Sequence, residues 1–274
     1  AGKALDITQA APIVGQSRQI AGGQDYGPAA GSDIVVLTAG KPRTPGMSRD
    51  DLLQINAGIT TAVVEAIMKV APEALLLMVA NPLDVTTYVA RQVSGHSRER
   101  VIGMAGVLDS SRFRAFIAME IGCCPAEVTA MVLGGHGDSM LPLPRHSTVS
   151  GIPVTDLIAA DRLEAIVERT RKAGGEIVAY LKTGSAFYAP AAAVTQMVGA
   201  ILRDEKRILP ACVKLEGEYG MDDVFLGVPA ILGAGGMEGV VELGLNEEES
   251  AALVASADHV RQTVAQWQEL EKQE

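Results

Sequence analysis

A histidine flanked by glycines is the first residue whose setting suggests chemistry. His136 stands in Gly134-Gly135-His136-Gly137-Asp138, directly after the apolar run Thr129–Leu133. An imidazole exchanges protons near neutral pH more readily than any other side chain. The neighbouring glycines let backbone or ligand come close, and the tip of a strand in an open α/β protein is where ligands gather. The plain alternative is a histidine in a tight glycine-rich turn. The other three histidines offer less. His96 lies in the polar loop Ser94–Glu99, His146 in a proline-bounded connection and His259 in an acidic helix, all places expected to face solvent.

Two further groups stand out. In Asp109-Ser110-Ser111-Arg112-Phe113-Arg114 the acid and Arg112 are three residues apart, so on a helix they share a face and can enter one site. The alternative is an ordinary solvated pair. The loop Gly40-Lys41-Pro42-Arg43-Thr44-Pro45-Gly46-Met47-Ser48-Arg49 carries Arg43 and Arg49 six apart. Such arginines can grip carboxylates through paired hydrogen bonds, or can simply form a basic surface loop. Asn81-Pro82, taken alone, reads as a turn that starts a helix. Gly233-Ala234-Gly235-Gly236-Met237-Glu238 begins like a dinucleotide fingerprint but ends in Glu238 with no long helix after it. No nucleophile elbow, phosphate-binding P-loop or zinc spacing is found, and Cys123-Cys124 before Pro125 reads as packing.

The elements that must position these groups alternate. Asp33–Thr38 and Ala74–Val79 are short apolar runs without alternation, as expected of strands covered on both faces. Between them a helix begins near Ser48, with Asp50 and Asp51 in its first turn, and ends before Pro72. That is the βαβ unit of a parallel sheet. A helix over about 83–93, a strand at Arg100–Met104, a helix over about 109–121 and a strand at Glu127–Leu133 continue the series. After Gly151 the texture changes. Long helices over about 161–181 and 186–203 precede strands near Arg207–Leu215, Val224–Leu232 and Val240–Leu243, and a final helix runs over about 247–270 behind Asn246. A parallel α/β part followed by an antiparallel α+β part predicts two lobes with a cleft between them.

The chain has 274 residues, 23 Lys+Arg against 33 Asp+Glu, a formal charge of −10 and 48% hydrophobic residues. That is a globular balance, and the negative charge argues against nucleic acid or an anionic membrane as partner. The longest uncharged stretch, between Lys182 and Arg203, holds Ser185, Pro190, Thr195 and Gln196 and is mostly alanine, so it is not read as a membrane span. Three cysteines without framework spacing fit a reducing, cytoplasmic setting.

In order and spacing, the blocks Ser32–Arg49, Asn81-Pro82-Leu83-Asp84, Val101-Ile102-Gly103, Gly106–Arg114, Gly134–Pro144, Lys182–Pro190 and Gly227–Gly236 resemble malate dehydrogenases of the bacterial, lactate-dehydrogenase-like type. The resemblance covers essentially the whole chain. It implies a Rossmann-type parallel sheet followed by an α+β catalytic domain, with residues 1–106 binding NAD and residues 107–274 carrying the chemistry. It makes His136 the proton acceptor and Asp109 its partner. Arg112 would hold the C1 carboxylate, Arg49 would polarise the C2 oxygen, and Asn81 would serve both substrate and nicotinamide. Asn56 and Val79 would line the cofactor site. Arg43 occupies the loop position at which the family's malate enzymes carry arginine and its lactate enzymes glutamine, which favours malate over lactate. The family also implies a homodimer or homotetramer.

Such enzymes begin with a strand, a G-x-G-x-x-G turn, a helix and a second strand ending in an acidic residue, and the sequence from Ala1 starts just after that unit. The choice of NAD over NADP is therefore not legible in it. A protein truly beginning at Ala1 is expected to fold poorly and lack activity, and a non-catalytic homologue is then the alternative, alongside a lactate or other 2-hydroxy-acid dehydrogenase.

Overall fold

The computed structural model describes residues 1–15, 20–42 and 48–272, and the backbone alone of Arg49. Helix α1 (Gly2–Ala10) buries no side chain, and the chain then enters the main sheet at β1 (Ile34–Leu37). Helix α2 (Arg49–Val70) crosses to β2 (Leu75–Met78), α3 (Leu83–Ser94) to β3 (Val101–Gly103), and β1, β2 and β3 pair in parallel. The starts and stops of these helices are local chemistry. Ser48 and Asp51 close a reciprocal capping box on α2, and α3 ends on the left-handed Gly95.

Helix α4 (Gly106–Ile121) follows, then short strands β4 (Val128–Thr129), β5 (Val132–Leu133), β6 (Leu141–Pro142), β7 (Thr148–Val149) and β8 (Ile152–Pro153). The single strand expected over Glu127–Leu133 is thus two, because β4 pairs with β7 whereas β5 pairs with β6. After α5 (Val154–Leu157) come α6 (Ala160–Leu181) and α7 (Tyr188–Leu202). The strands β9 (Arg207–Glu216), β10 (Asp222–Gly233) and β11 (Gly236–Val240) and the helix α8 (Glu247–Glu271) complete the chain, α8 behind a capping box of Asn246 and Glu249. Gly233–Gly236 is the turn between β10 and β11. Its amides are already used, Ala234 N–H by Asp204 and Gly235 N–H by Glu238, so it is no anion cradle.

The later strands do not build a separate sheet. β9 joins β3 antiparallel at Gly103 and Cys212, giving one six-stranded sheet in the order β1-β2-β3-β9-β10-β11. One face packs on α2 and α3 through Val64, Ile67, Leu83 and Ala90. The other packs on α4, α7 and α8 through Leu108, Met197, Ala257 and Val260. A further core of Phe113, Ile117, Val128, Val149, Leu163 and Ile166 lies between α4, the small strands and α6. β2 is buried throughout, as its unbroken apolar run requires, but β1 ends the sheet among the described residues and Val36 is 36% exposed.

Candidate active site

Helix α4 is shared by two cores. Val107 and Leu108 face the main sheet and Phe113 and Ile117 face the second core, which leaves Asp109 and Arg112 on the flank between them. Asp109 is 2% exposed, and both its oxygens are engaged. Oδ1 accepts from Arg112 Nη1 at 3.2 Å, and Oδ2 lies 2.7 Å from His136 Nδ1. A carboxylate can only accept, so the ring carries its hydrogen on Nδ1 and the neutral form keeps Nε2 free to take a proton.

His136 reaches that position because the turn bearing it is held at three successive amides. Gly134 N–H donates to Gly227 O at 2.8 Å, and Gly227 N–H returns a bond to Gly134 O at 3.1 Å. Gly135 N–H donates to Ser256 Oγ on α8 at 2.9 Å, and His136 N–H to Asp84 Oδ2 on α3 at 2.8 Å. Two glycines are demanded by this geometry. Gly134 has φ +88°, and a Cβ at Gly227 would lie 2.5 Å from Gly134 O.

The ring is 15% exposed. Burial disfavours its charged form, but the Asp109 charge and hydrogen bond, joined by the Asp84 charge, outweigh burial and the opposing Arg112, so its pKa stands above the ordinary 6.5. Asp84 is itself raised by burial, against the pull of His136. The buried Cys212 thiol beside it is pushed well above its usual range, by burial first and then by the Asp84 charge.

At the carboxyl ends of β1 and β2, Asn56 binds two loops together. Its Oδ1 accepts Lys41 N–H at 2.7 Å, and its Nδ2 donates to Lys41 O at 3.1 Å and Asn81 O at 2.7 Å. Asn56 is buried and spends its polar atoms on the protein, whereas Asn81 is exposed and Val79 half-buried beside it. Arg43 and the side chain of Arg49 lie outside the described residues. The structure thus brings His136, Asp109 and Arg112 together and leaves the two loop arginines undescribed.

Among the other residues, His259 is exposed as expected, but His96 is half-buried with Nε2 3.0 Å from Ala74 O, so it is not simply solvated. His146 is also half-buried, with Nε2 3.2 Å from Arg145 Nη2. Cys123 packs against the second core while Cys124 is exposed, so only one of that pair serves packing. Three residues that hold the histidine turn were assigned no role from sequence: Asp84, Ser256 and Gly227. Asp84 had a usable signal, an acid in the first turn of a helix whose following residues are buried. Ser256 had none, being one serine on a long amphipathic helix 121 positions from its partner. Among the described residues no group of three or more His, Cys, Asp or Glu could hold a metal ion, and no helix is long and apolar enough to cross a membrane.

The family model for the lactate/malate dehydrogenase NAD binding domain matches residues 1–103, and the model for the lactate/malate dehydrogenase alpha/beta C-terminal domain matches residues 106–271. The chain belongs to the lactate/malate dehydrogenase family. A malate dehydrogenase from Roseiflexus sp. (strain RS-1) is 57% identical over 264 residues, which is 96% of this chain and 85% of that relative. The structure of malate dehydrogenase from Salinibacter ruber superposes with a TM-score of 0.95 at 50% identity, covering 99% of this chain and 87% of that one. A lactate dehydrogenase from Cryptosporidium parvum, solved with lactic acid and nicotinamide adenine dinucleotide, gives 0.92 at 40% identity over 96% of this chain and 85% of that one. Relatives named for malate and for lactate therefore share this fold.

Proposed function

We propose that this chain catalyses the reversible NAD-dependent oxidation of malate to oxaloacetate, with His136 as proton acceptor. The observation that carries the reading is the Asp109 carboxylate, which binds His136 Nδ1 with one oxygen and Arg112 with the other. Relatives at 50–57% identity that are named malate dehydrogenase support the substrate class. NAD, when bound, would supply the acceptor for a hydride from C2 of the hydroxy acid. The residues present fit it: the loops after β1 and β2 are drawn together by Asn56 at the carboxyl edge of the parallel strands, where dinucleotides bind. Asn81 and Val79 would face the nicotinamide there.

His136 Nε2 removes the hydroxyl proton, and Asp109 fixes the tautomer and stabilises the imidazolium that forms. Arg112 binds the C1 carboxylate. Its Nε is buried and has no hydrogen-bond partner among the described residues, so the guanidinium keeps donor capacity after serving Asp109. Arg49 polarises the C2 oxygen. Arg43 pairs with the second carboxylate, and a monocarboxylate, uncharged at that end, would leave it without a counter-charge, at a cost of several kcal/mol once buried. We assign residues 1–106 to cofactor binding and 107–274 to catalysis, a division supported by the junction of the two family matches. A homodimer or homotetramer is supported by exposed Val178, Tyr180 and Leu181 on α6, and a cytoplasmic setting by three unbridged cysteines.

The test compares oxaloacetate with pyruvate in the native protein and in Arg43→Gln. The expected result is a loss of kcat/KM of about 100-fold or more on oxaloacetate, the scale of one broken charge pair, with pyruvate little changed. Equal losses on both substrates refute the role given to Arg43, and preference of the native protein for pyruvate refutes malate.

A further inference from the structure

Asp84 stands in the first turn of α3, a position from which an acid ordinarily serves its own helix end. Here α3 has no side-chain cap, and Asp84 Oδ2 instead accepts the amide of His136, 52 residues on. Asp84 is 7% exposed, and the Cys212 thiol lies beside its carboxyl. A buried carboxylate without compensation is costly. The groups that interact electrically with it are the His136 ring and amide, the Cys212 thiol from β9, and Asp109, which repels it. The charged groups that act on the His136 ring are Asp109 and Arg112 from α4 and Asp84 from α3. The turn also closes tightly over the acid: a Cβ at Gly135 would lie 3.3 Å from Asp84 Oδ2.

We propose that Asp84 is a positioning residue for proton transfer at His136: its buried carboxylate clamps the histidine's backbone and adds a second negative charge to the one Asp109 already presents. The proposal rests on His136 being the proton acceptor. Asp109 touches the ring and sets its tautomer, whereas Asp84 acts through the main chain and through its field. Charge on the ring and charge on Asp84 stabilise each other, so the two titrate as a coupled pair. The Cys212 thiol, held protonated by burial and by Asp84, supplies a weak S–H donor on that side without competing for the ring.

The test follows the imidazole titration of His136 by NMR, its signal assigned by loss in His136→Gln, in the chain without cofactor. Asp84→Asn keeps an oxygen for the His136 amide and removes only the charge. Ser256→Ala loosens the same turn at Gly135 and leaves the charge in place. Asp84→Asn is expected to lower the His136 midpoint by about one pH unit, and Ser256→Ala to leave it within a few tenths. An unchanged midpoint in folded Asp84→Asn, or an equal shift in Ser256→Ala, overturns the proposal. If Asp84→Asn does not fold, the native protein answers instead: the Asp84 carboxyl carbon must show an inflection at the His136 midpoint, and its absence overturns the proposal. No turnover is needed for these readings. A shift observed in a chain inactive toward malate supports the Asp84 assignment and counts against the function proposed above.

Discussion

Asp109 has both oxygens committed, one to a ring and one to a guanidinium, and under the function proposed this double use would tie proton transfer to substrate binding at a single buried carboxylate. The sign of the resulting pH dependence can be worked out. His136 has its pKa raised above 6.5, so oxidation of malate, which needs the neutral ring, should fall away as pH drops through that raised value. Reduction of oxaloacetate needs the protonated ring and should fall as pH climbs through the same value. The ion pair's contribution to folding follows the second pattern, complete below the unfolded value of 6.5 and lost as pH rises through the folded one. Profiles of kcat/KM in both directions at saturating cofactor check this. Opposed limbs sharing one midpoint above 6.5 are expected, and a midpoint below 6.5 contradicts the pairing with Asp109.

At the scale of elements, α4 and α8 carry the placement. α4 is apolar on two sides because it serves two cores, and the remaining flank is the one that bears Asp109 and Arg112. α8 delivers Ser256 to Gly135 nearly three turns beyond its N-cap, Asn246, whose side chain takes the amide of Glu249. Asn246→Ala should cost about 1 kcal/mol in urea unfolding, with m unchanged. No loss would mean that the capping box is idle in solution. Where such signals are local, sequence reads well: the cap at Ser48, the cap at Asn246, the buried run of β2 and the Asp109–Arg112 spacing all lie within a few residues of what they determine. What sequence could not show was assembled over distance. The Asp84–His136 and Gly135–Ser256 bonds join residues 52 and 121 positions apart, and the split of Glu127–Leu133 into β4 and β5 depends on different distant partners. Nor does any local pattern announce that β9 will extend the parallel sheet, since its ladder pairing with β3 is the single pair Gly103 and Cys212.

At the scale of the whole molecule, that extension puts the long β9–β10 hairpin in the same frame as the parallel strands, so the carboxyl ends of β1 and β2 and the histidine turn hang from one sheet. Gly134 and Gly227 make the attachment by exchanging two backbone hydrogen bonds. Their amide protons should therefore exchange with solvent as slowly as those of Val213 and Leu226 in the core of the hairpin, through global unfolding. Fast exchange at Gly134 alone would show the turn opening by itself. Because that fastening contains no side chain, substitutions lining the substrate pocket have nothing in it to alter. Under the function proposed, substrate preference could drift, from a dicarboxylate to a monocarboxylate for instance, while His136 stays in register with the atom it would deprotonate.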